Sequence, residues 1–272
     1  MPPLVTRALV TVLLTGALTG CLPTGSDDAG APVAAITAGL AGGVPRLHPE
    51  ILGTLPHDST AWTEGLELDD GVLYESTGLV GHSELRELDP ATGVLRRARP
   101  LPADLYGEGV TVLGPRIWQL TYRDGVALEW GSGPAPIRRV PWTGEGWGLC
   151  HTGDGRVVAS DGTDRLRILS GTDLAPLSTV SVRIGGRPLT GLNELECTPD
   201  GVWANVYETD WLVRIDPVSG AVTAAVDATG LLPADQRAGT DVLNGIAALP
   251  GTDEFLLTGK FWPTLFRVRF VR

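Results

Sequence analysis

A short phrase that recurs along the chain constrains its fold more than any other feature. In Tyr106-Gly107-Glu108-Gly109-Val110 a lone carboxylate stands between two glycines at the start of an apolar, strand-like run. Glycines there let the backbone pass close to a neighbour or turn sharply. A glutamate is poorly suited to a strand interior unless it faces water, a ligand or a partner. Thr63-Glu64-Gly65-Leu66 precedes this phrase and Gly144-Glu145-Gly146-Trp147-Gly148-Leu149 follows it. Asn193-Glu194-Leu195-Glu196 and Asn244-Gly245-Ile246-Ala247 read as degenerate copies. The steps are 44 residues (64 to 108), 37 (108 to 145), 49 (145 to 194) and 51 (194 to 245). Repeats of that length built from short strands indicate an all-β fold, a β-propeller.

Each repeat reads as a four-stranded antiparallel meander, so the chain is expected to form five blades. The third strand is plainest as Glu84–Asp89 and Trp211–Asp216, where apolar and polar residues alternate as a half-buried strand requires. The turns that follow, Asp89-Pro90-Ala91-Thr92-Gly93 and Asp216-Pro217-Val218-Ser219-Gly220, carry Pro and Gly at the positions a tight turn favours. The fifth repeat lacks a fourth strand, and Pro49–His57, ahead of the first repeat, is the spare. An N-terminal strand pairing with the last blade would close the ring and cover a long edge. No stretch shows a helical period, apart from one short turn expected at Leu231–Arg237.

The N-terminus reads as a targeting segment. Arg7 precedes an apolar run from Ala8 to Ala17, and then comes Leu18-Thr19-Gly20-Cys21. This resembles a bacterial lipoprotein signal, with cleavage before Cys21 and a lipid on that cysteine. Residues 1–20 are therefore the expected signal peptide and 21–45, rich in Ala, Gly, Thr, Ser and Pro, a flexible tether. Residues 46–272 form the domain. That implies an exported monomer, anchored by lipid at the outer face of the cell membrane. A formal charge of −11 argues against nucleic acid as a partner. Export permits a disulfide. Yet Cys150 and Cys197 occupy similar places in neighbouring repeats, where side chains point the same way around a ring. They are expected to be two small buried hydrophobes rather than a bridge.

The first strand of each propeller blade lines the central axis. Glu64, Glu108, Glu145, Asn193, Glu194 and Asn244 should therefore converge, and carboxylates crowded together must be protonated, paired or in use. The chain has twenty arginines and a single lysine, Lys260, set among aromatic residues in Gly259-Lys260-Phe261-Trp262-Pro263. A lysine supplies a compact donor that an arginine fork does not. Trp62, Tyr106, Tyr122, Trp147 and Tyr207 flank the acidic phrases and are suited to wall a pocket for a small aliphatic or amide group.

Taken in order, the phrases resemble the glutaminyl-peptide cyclotransferases of the plant and bacterial type. They run from Pro56-His57-Asp58 with Ala61-Trp62-Thr63-Glu64-Gly65-Leu66, through Tyr106-Gly107-Glu108-Gly109, Gln119-Leu120-Thr121-Tyr122 and Asn193-Glu194-Leu195-Glu196, to Thr258-Gly259-Lys260-Phe261-Trp262-Pro263. The resemblance covers nearly all of the chain after about residue 50. It implies a five-bladed propeller that closes the N-terminal glutamine of peptides or proteins into pyroglutamate and releases ammonia, without metal or cofactor. Carried over, it implies that Glu108 and Lys260 are catalytic. It also implies that Glu64, Asn193 and the aromatic residues Trp62, Tyr106, Tyr122, Trp147 and Tyr207 hold the substrate. The chain departs from the pattern at Glu64 (often Gln), Tyr106 (often Phe), and Tyr122 and Tyr207 (often Trp), which bears on substrate preference and rate.

The residues fit such chemistry on their own terms. Intramolecular aminolysis needs little entropic help because both reactants lie in one molecule. It needs one carboxylate to move a proton and a donor facing the developing oxyanion, for which Lys260 or Asn193 would serve. His57, His82 and His151 lack metal-ligand spacing. Two rival functions use the same residues. One is a metal-dependent propeller hydrolase such as a lactonase, with Glu64, Asn193, Asn244 and Asp241 around a cation. The other is a surface-tethered propeller that binds without catalysis.

Overall fold

A computed structural model describes residues 30–272. The leader and Cys21 lie outside the described residues. The chain opens with helix α1 (Gly30–Ala41) and then a long strand β1 (Arg46–Pro56). The helix replaces part of the expected tether. Its sequence, GAPVAAITAGLA, is apolar or small on every side, so it carries no helical period to read. Ile36 is fully buried, and Gly39 lies so close to Ile184 that a Cβ there would sit 2.2 Å from Cγ1.

The rest is strand. The first sheet holds β2 (Thr63–Asp69), β3 (Val72–Thr77), β4 (Glu84–Leu88) and β5 (Leu95–Pro100). The second holds β6 (Gly107–Leu113), β7 (Arg116–Thr121), β8 (Val126–Trp130) and β9 (Pro136–Pro141). The third holds β10 (Leu149–His151), β11 (Arg156–Ala159), β12 (Arg165–Ser170) and β13 (Pro176–Ser181), and a small hairpin, β14 (Arg183–Ile184) with β15 (Arg187–Pro188), follows. Next come β16 (Leu192–Thr198), β17 (Gly201–Val206), β18 (Trp211–Ile215) and β19 (Val222–Asp227), and finally β20 (Leu243–Ala248), β21 (Glu254–Gly259) and β22 (Thr264–Val271). Each set pairs antiparallel in chain order, the propeller-like pattern of all-β meanders. β1 runs antiparallel to β22 from His48↔Val271 to Pro56↔Thr264, and its first residues lie parallel to β19. A single 3₁₀ turn, Ala234–Gln236, falls within the stretch expected to be helical.

Local chemistry explains the meanders. At Asp89 the side chain accepts from Ala91 N (2.9 Å) and Thr92 N (3.0 Å), while Gly93, at φ +71°, donates to Asp89 O. Asp216 and Gly220 repeat the arrangement. A side chain at Gly93 is doubly excluded, by its φ and because a Cβ would sit 2.1 Å from Pro56 O. The inner strands are buried almost throughout and the outermost ones, such as β13, are largely exposed. Apolar clusters fill the space between successive sheets. Leu85, Val110 and Leu128 join the first to the second, and Leu120, Leu149 and Leu169 join the second to the third. Val158, Leu195 and Val213 continue the series, as do Leu212, Ile246 and Leu257, and Leu66, Leu73, Ala247 and Leu256 connect the last sheet to the first.

The expectation for the cysteines is overturned. Cys150 and Cys197 form a disulfide, with Cα atoms 5.4 Å apart. They are not equivalent residues. Gly148 abuts Asn193, Glu194 and Leu195, as Gly109 abuts Gly148 and Gly65 abuts Gly109. This register aligns Leu149 with Leu195, so Cys150 matches Glu196 and Cys197 matches His151. The one-residue offset turns the two thiols to opposite faces of their strands, and hence toward each other.

Candidate active site

The same register rewrites the repeating phrase. The pairing of four of the five inner strands with their neighbours is irregular, between Thr63 and Gly65, Gly107 and Val110, Leu192 and Leu195, and Leu243 and Ile246, whereas β10 pairs regularly with β11. Such bulges re-aim side chains. The residues at equivalent places are therefore Glu64, Glu108, Trp147, Asn193 and Asn244. Glu145 is not among them. It sits on the rim, where Arg123 grips Oε1 (Nε 2.8 Å, Nη2 2.5 Å) and Trp147 Nε1 donates to Oε2 at 3.0 Å.

Glu194 takes the place that glycine holds in the other four repeats. Its carboxylate crosses the interior and accepts from Leu66 N (3.2 Å) and Ile246 N (2.8 Å), tying three inner strands together. Burial holds its proton affinity well above the ordinary carboxylate range, partly opposed by those two backbone donors. It staples the fold rather than joining the cluster at the mouth, as the sequence had led us to expect.

Glu64 is the hub of that cluster. Lys260 Nζ lies 2.8 Å from Oε1, and Trp62 Nε1 (2.7 Å) and Tyr106 Oη (2.9 Å) donate to the same oxygen. Asn244 Nδ2 reaches Oε2 at 3.3 Å. Burial works against the Lys260 charge, but Glu64 and Glu108 beside it prevail and raise its proton affinity above the usual lysine range. Burial, then the Glu64 and Glu108 charges, push the Tyr106 hydroxyl above its ordinary range, so it acts as a donor.

Glu108 has the opposite surroundings. The donors at the hub all go to Glu64. Burial first, and the Glu64 charge second, raise the Glu108 proton affinity well above the carboxylate range, with Lys260 opposing. Of two neighbouring carboxylates, one thus takes the hub's donors and the other is held toward its protonated form.

The aromatic residues stand around this pair. Lys260 Nζ lies 4.8 Å from the Trp62 ring centroid and 5.8 Å from that of Tyr207. Tyr207 meets Trp147 edge-on at 5.3 Å, and Tyr106 and Tyr122 are 5.8 Å apart. Phe261, in the left-handed region at φ +60°, packs edge-on against Trp62 at 4.9 Å. Asn193 is buried beside Gly148, its backbone carbonyl bound by Ser160 Oγ at 2.6 Å and its Oδ1 without a protein partner. Of the residues expected to converge, Glu194 alone stays away and Glu145 is displaced to the rim, while the others gather at one mouth of the inner strands. Phe261 joins them. Asn244 was visible as a degenerate copy of the phrase, whereas Phe261 gave no signal beyond adjacency to Lys260.

The family model described as glutamine cyclotransferase matches residues 28–270. The chain belongs to the glutamine cyclotransferase family. A glutaminyl-peptide cyclotransferase of Arabidopsis thaliana is 34% identical over 229 residues, which are 81% of this chain and 70% of that protein. The crystal structure of Myxococcus xanthus glutaminyl cyclase superposes with a TM-score of 0.76 at 34% identity, covering 83% of this chain and 98% of that one.

A cavity of about 540 Å³ opens at the far end of the inner strands. It is lined by Glu67, His151 and Glu196 among others and contains none of the clustered residues. His151 Nδ1 lies 3.0 Å from Glu67, and the pair occupies one wall. Among the described residues, no group of three His, Cys, Asp or Glu side chains is arranged to hold a metal, and no helix is long and apolar enough to cross a membrane.

Proposed function

We propose that this protein cyclises the N-terminal glutamine of peptides or proteins to pyroglutamate and releases ammonia, with Glu108 as the proton carrier. The observation that carries the assignment is the division between the two carboxylates. Glu64 is saturated by Lys260, Trp62, Tyr106 and Asn244, while Glu108 is buried, lacks those donors and binds its proton tightly. The α-amine attacks the δ-carbon of the same residue's side-chain amide. Glu108 accepts a proton from the amine and delivers it to the departing nitrogen, which leaves as ammonia. Lys260 faces the oxygen that gains charge, and its pairing with Glu64 keeps it protonated for that task. Asn193, with an unused buried acceptor, receives an N–H of the substrate. Trp62, Tyr106, Tyr122, Trp147 and Tyr207 wall the pocket.

No residue in this scheme requires a metal or another cofactor. Family membership supports cyclisation over hydrolysis or mere binding on the same fold. We further infer five blades, the last completed by β1, which supplies the strand that β20–β22 lack. A lipid on Cys21 would hold the monomeric domain at the outer face of the membrane.

The test is Glu108→Gln with a short Gln-initiated peptide, followed by mass and ammonia release. The substitution keeps shape and hydrogen bonding but cannot carry a proton, so kcat should fall by roughly 10²–10⁴-fold with the fold retained. Near-native turnover would remove Glu108 from the chemistry.

A further inference from the structure

The turn that carries Lys260 is held from below by a histidine that the cyclisation scheme does not use. His57 follows β1, and its side chain has no exposure to solvent. Its backbone N donates to Pro263 O at 2.9 Å. Its ring Nδ1 lies 2.6 Å from Trp262 O, and Nε2 lies 2.9 Å from Glu75 Oε1 on β3. Besides the Lys260–Glu64 pair itself, the Lys260 turn has one other backbone bond to the first sheet's side of the molecule, Phe261 N to Ala61 O at 2.7 Å. Glu75 also accepts from Thr63 Oγ1 at 2.7 Å, and Thr63 precedes Glu64 and gives its carbonyl to Asn244. One buried ring thus links the strands behind both partners of the Lys260–Glu64 pair.

The ring's protonation follows from its neighbours. A peptide carbonyl can only accept, so Nδ1 must carry a hydrogen. A carboxylate also only accepts, so Nε2 must carry one too. A ring with a bare Nε2 would place its lone pair against the carboxylate at hydrogen-bond distance. The other charged groups around the pair are Asp58, next in the chain, and Arg86 of β4, whose Nη1 lies 3.7 Å from Glu75 Oε2 and 3.0 Å from Asp58. Thr258 Oγ1 of β21 lies 3.3 Å from Nδ1. Burial alone would strip the extra proton, but Glu75 and the Trp262 carbonyl, with Asp58 behind them, leave the ring's proton affinity above that of a free histidine.

We propose that His57 is a positioning residue, held as a buried imidazolium that clamps the Lys260 turn to Glu75 and so sets where Lys260 stands. The inference rests on the place given to Lys260 in the cyclisation, and it makes the clamp dependent on a proton. As pH rises through the ring's own titration, the Glu75 bond is lost and the turn is freed. Lys260 retains its charge at that point, because its proton affinity is raised above the lysine range.

Nitrogen-15 NMR of histidine-labelled protein tests the charge without reference to catalysis. Both His57 nitrogens should read as protonated at pH 7.5, and an unprotonated Nε2 there would overturn the proposal. Glu75→Gln keeps an acceptor but removes the charge, so Nε2 should lose its proton on the order of one to three pH units lower. The alkaline fall in kcat should move down with it, and an alkaline limb that stays in place would overturn the clamp. His57→Gln, checked for native fold by circular dichroism, should lower kcat about tenfold or more while KM changes less than about threefold, since the pocket walls remain. A kcat within twofold of wild type would refute the positioning role. If the wild-type protein releases no ammonia, the cyclisation itself fails, whereas the NMR result still judges the imidazolium.

Discussion

Removing Lys260 should expose how strongly the site depends on its buried ion pair. Lys260 and Glu64 side chains are 6% and 2% exposed and 2.8 Å apart, so solvent screens little of their interaction. Breaking a buried pair by deleting one partner typically costs about 3–5 kcal/mol, most of it the penalty of the charge left behind. Here Glu64 keeps Trp62, Tyr106 and Asn244 as donors, and hydrogen bonds to a charged group are worth roughly 1.5–3 kcal/mol each. Lys260→Met should therefore cost about 3 kcal/mol, the low end of that range. For a domain of this size that is a Tm loss of about 6–12 °C. Glu64→Gln should cost less, because Lys260 still has Glu108 beside it. In Glu64→Gln/Lys260→Met no charge is orphaned, so the double variant should be more stable than Lys260→Met alone, by about 2 kcal/mol. Urea denaturation under non-reducing conditions, read by tryptophan fluorescence, measures all four corners of the cycle. Ammonia release on the same samples separates stability from turnover. A cost below about 1 kcal/mol for Lys260→Met, or a double variant as unstable as the sum of the singles, would refute the pairing argument.

Other expectations follow from the same contacts. Because burial and the Glu64 charge raise the Glu108 proton affinity, its base form is lost as pH falls through a value above the ordinary ~4.3 of a glutamate. The acid limb of kcat should lie correspondingly high and move to lower pH in Glu64→Gln. An identical limb in both proteins would sink that account. A chain beginning after Asp58 loses β1 and the ring of His57, and it should melt far below one beginning at Gly30. A chain beginning at residue 45 should fall between them, since it forfeits the burial of Ile36, worth about 1.5–3 kcal/mol. Equal melting temperatures would remove both elements from the stability of the fold. The Cys150–Cys197 bridge spans 47 residues, which in the chain-entropy treatment is worth about 4 kcal/mol. Reduction should lower Tm yet leave kcat at 25 °C within about twofold, because Cys197 lines the cavity at the far end from Glu108.

Much of the fold was written in short-range chemistry. Asp–Pro turns closed by a glycine act over a few residues and so appear directly in the sequence, whereas Trp211–Ile215 buries both Leu212 and Val213 and alternates less cleanly than its sequence suggests. The spare strand before the first repeat was legible for a related reason, because counting strands per repeat needs no knowledge of packing. Glu108 and Lys260 were legible because a carboxylate between glycines and a lone lysine are unusual for a buried propeller strand. Helix α1 was not, since a segment apolar on all sides carries no period and becomes helical only where it can dock on Ile184.

What the tertiary structure decided was register and the sharing of donors. The sequence placed Glu145 in the series of Glu64 and Glu108 by its flanking glycines, but the close contact of Gly148 with Asn193 shifts the third repeat and puts Trp147 there instead. That shift of register also brings Cys150 and Cys197 face to face. The sequence offers Glu64, Glu108 and a single lysine. Only the packing of the inner strands gives Glu64 the lysine, the indole, the phenol and the amide, and leaves Glu108 buried beside them without those donors. The reason is physical: a one-residue step in a strand reverses the face of every side chain beyond it, and no local signal records where such a step falls.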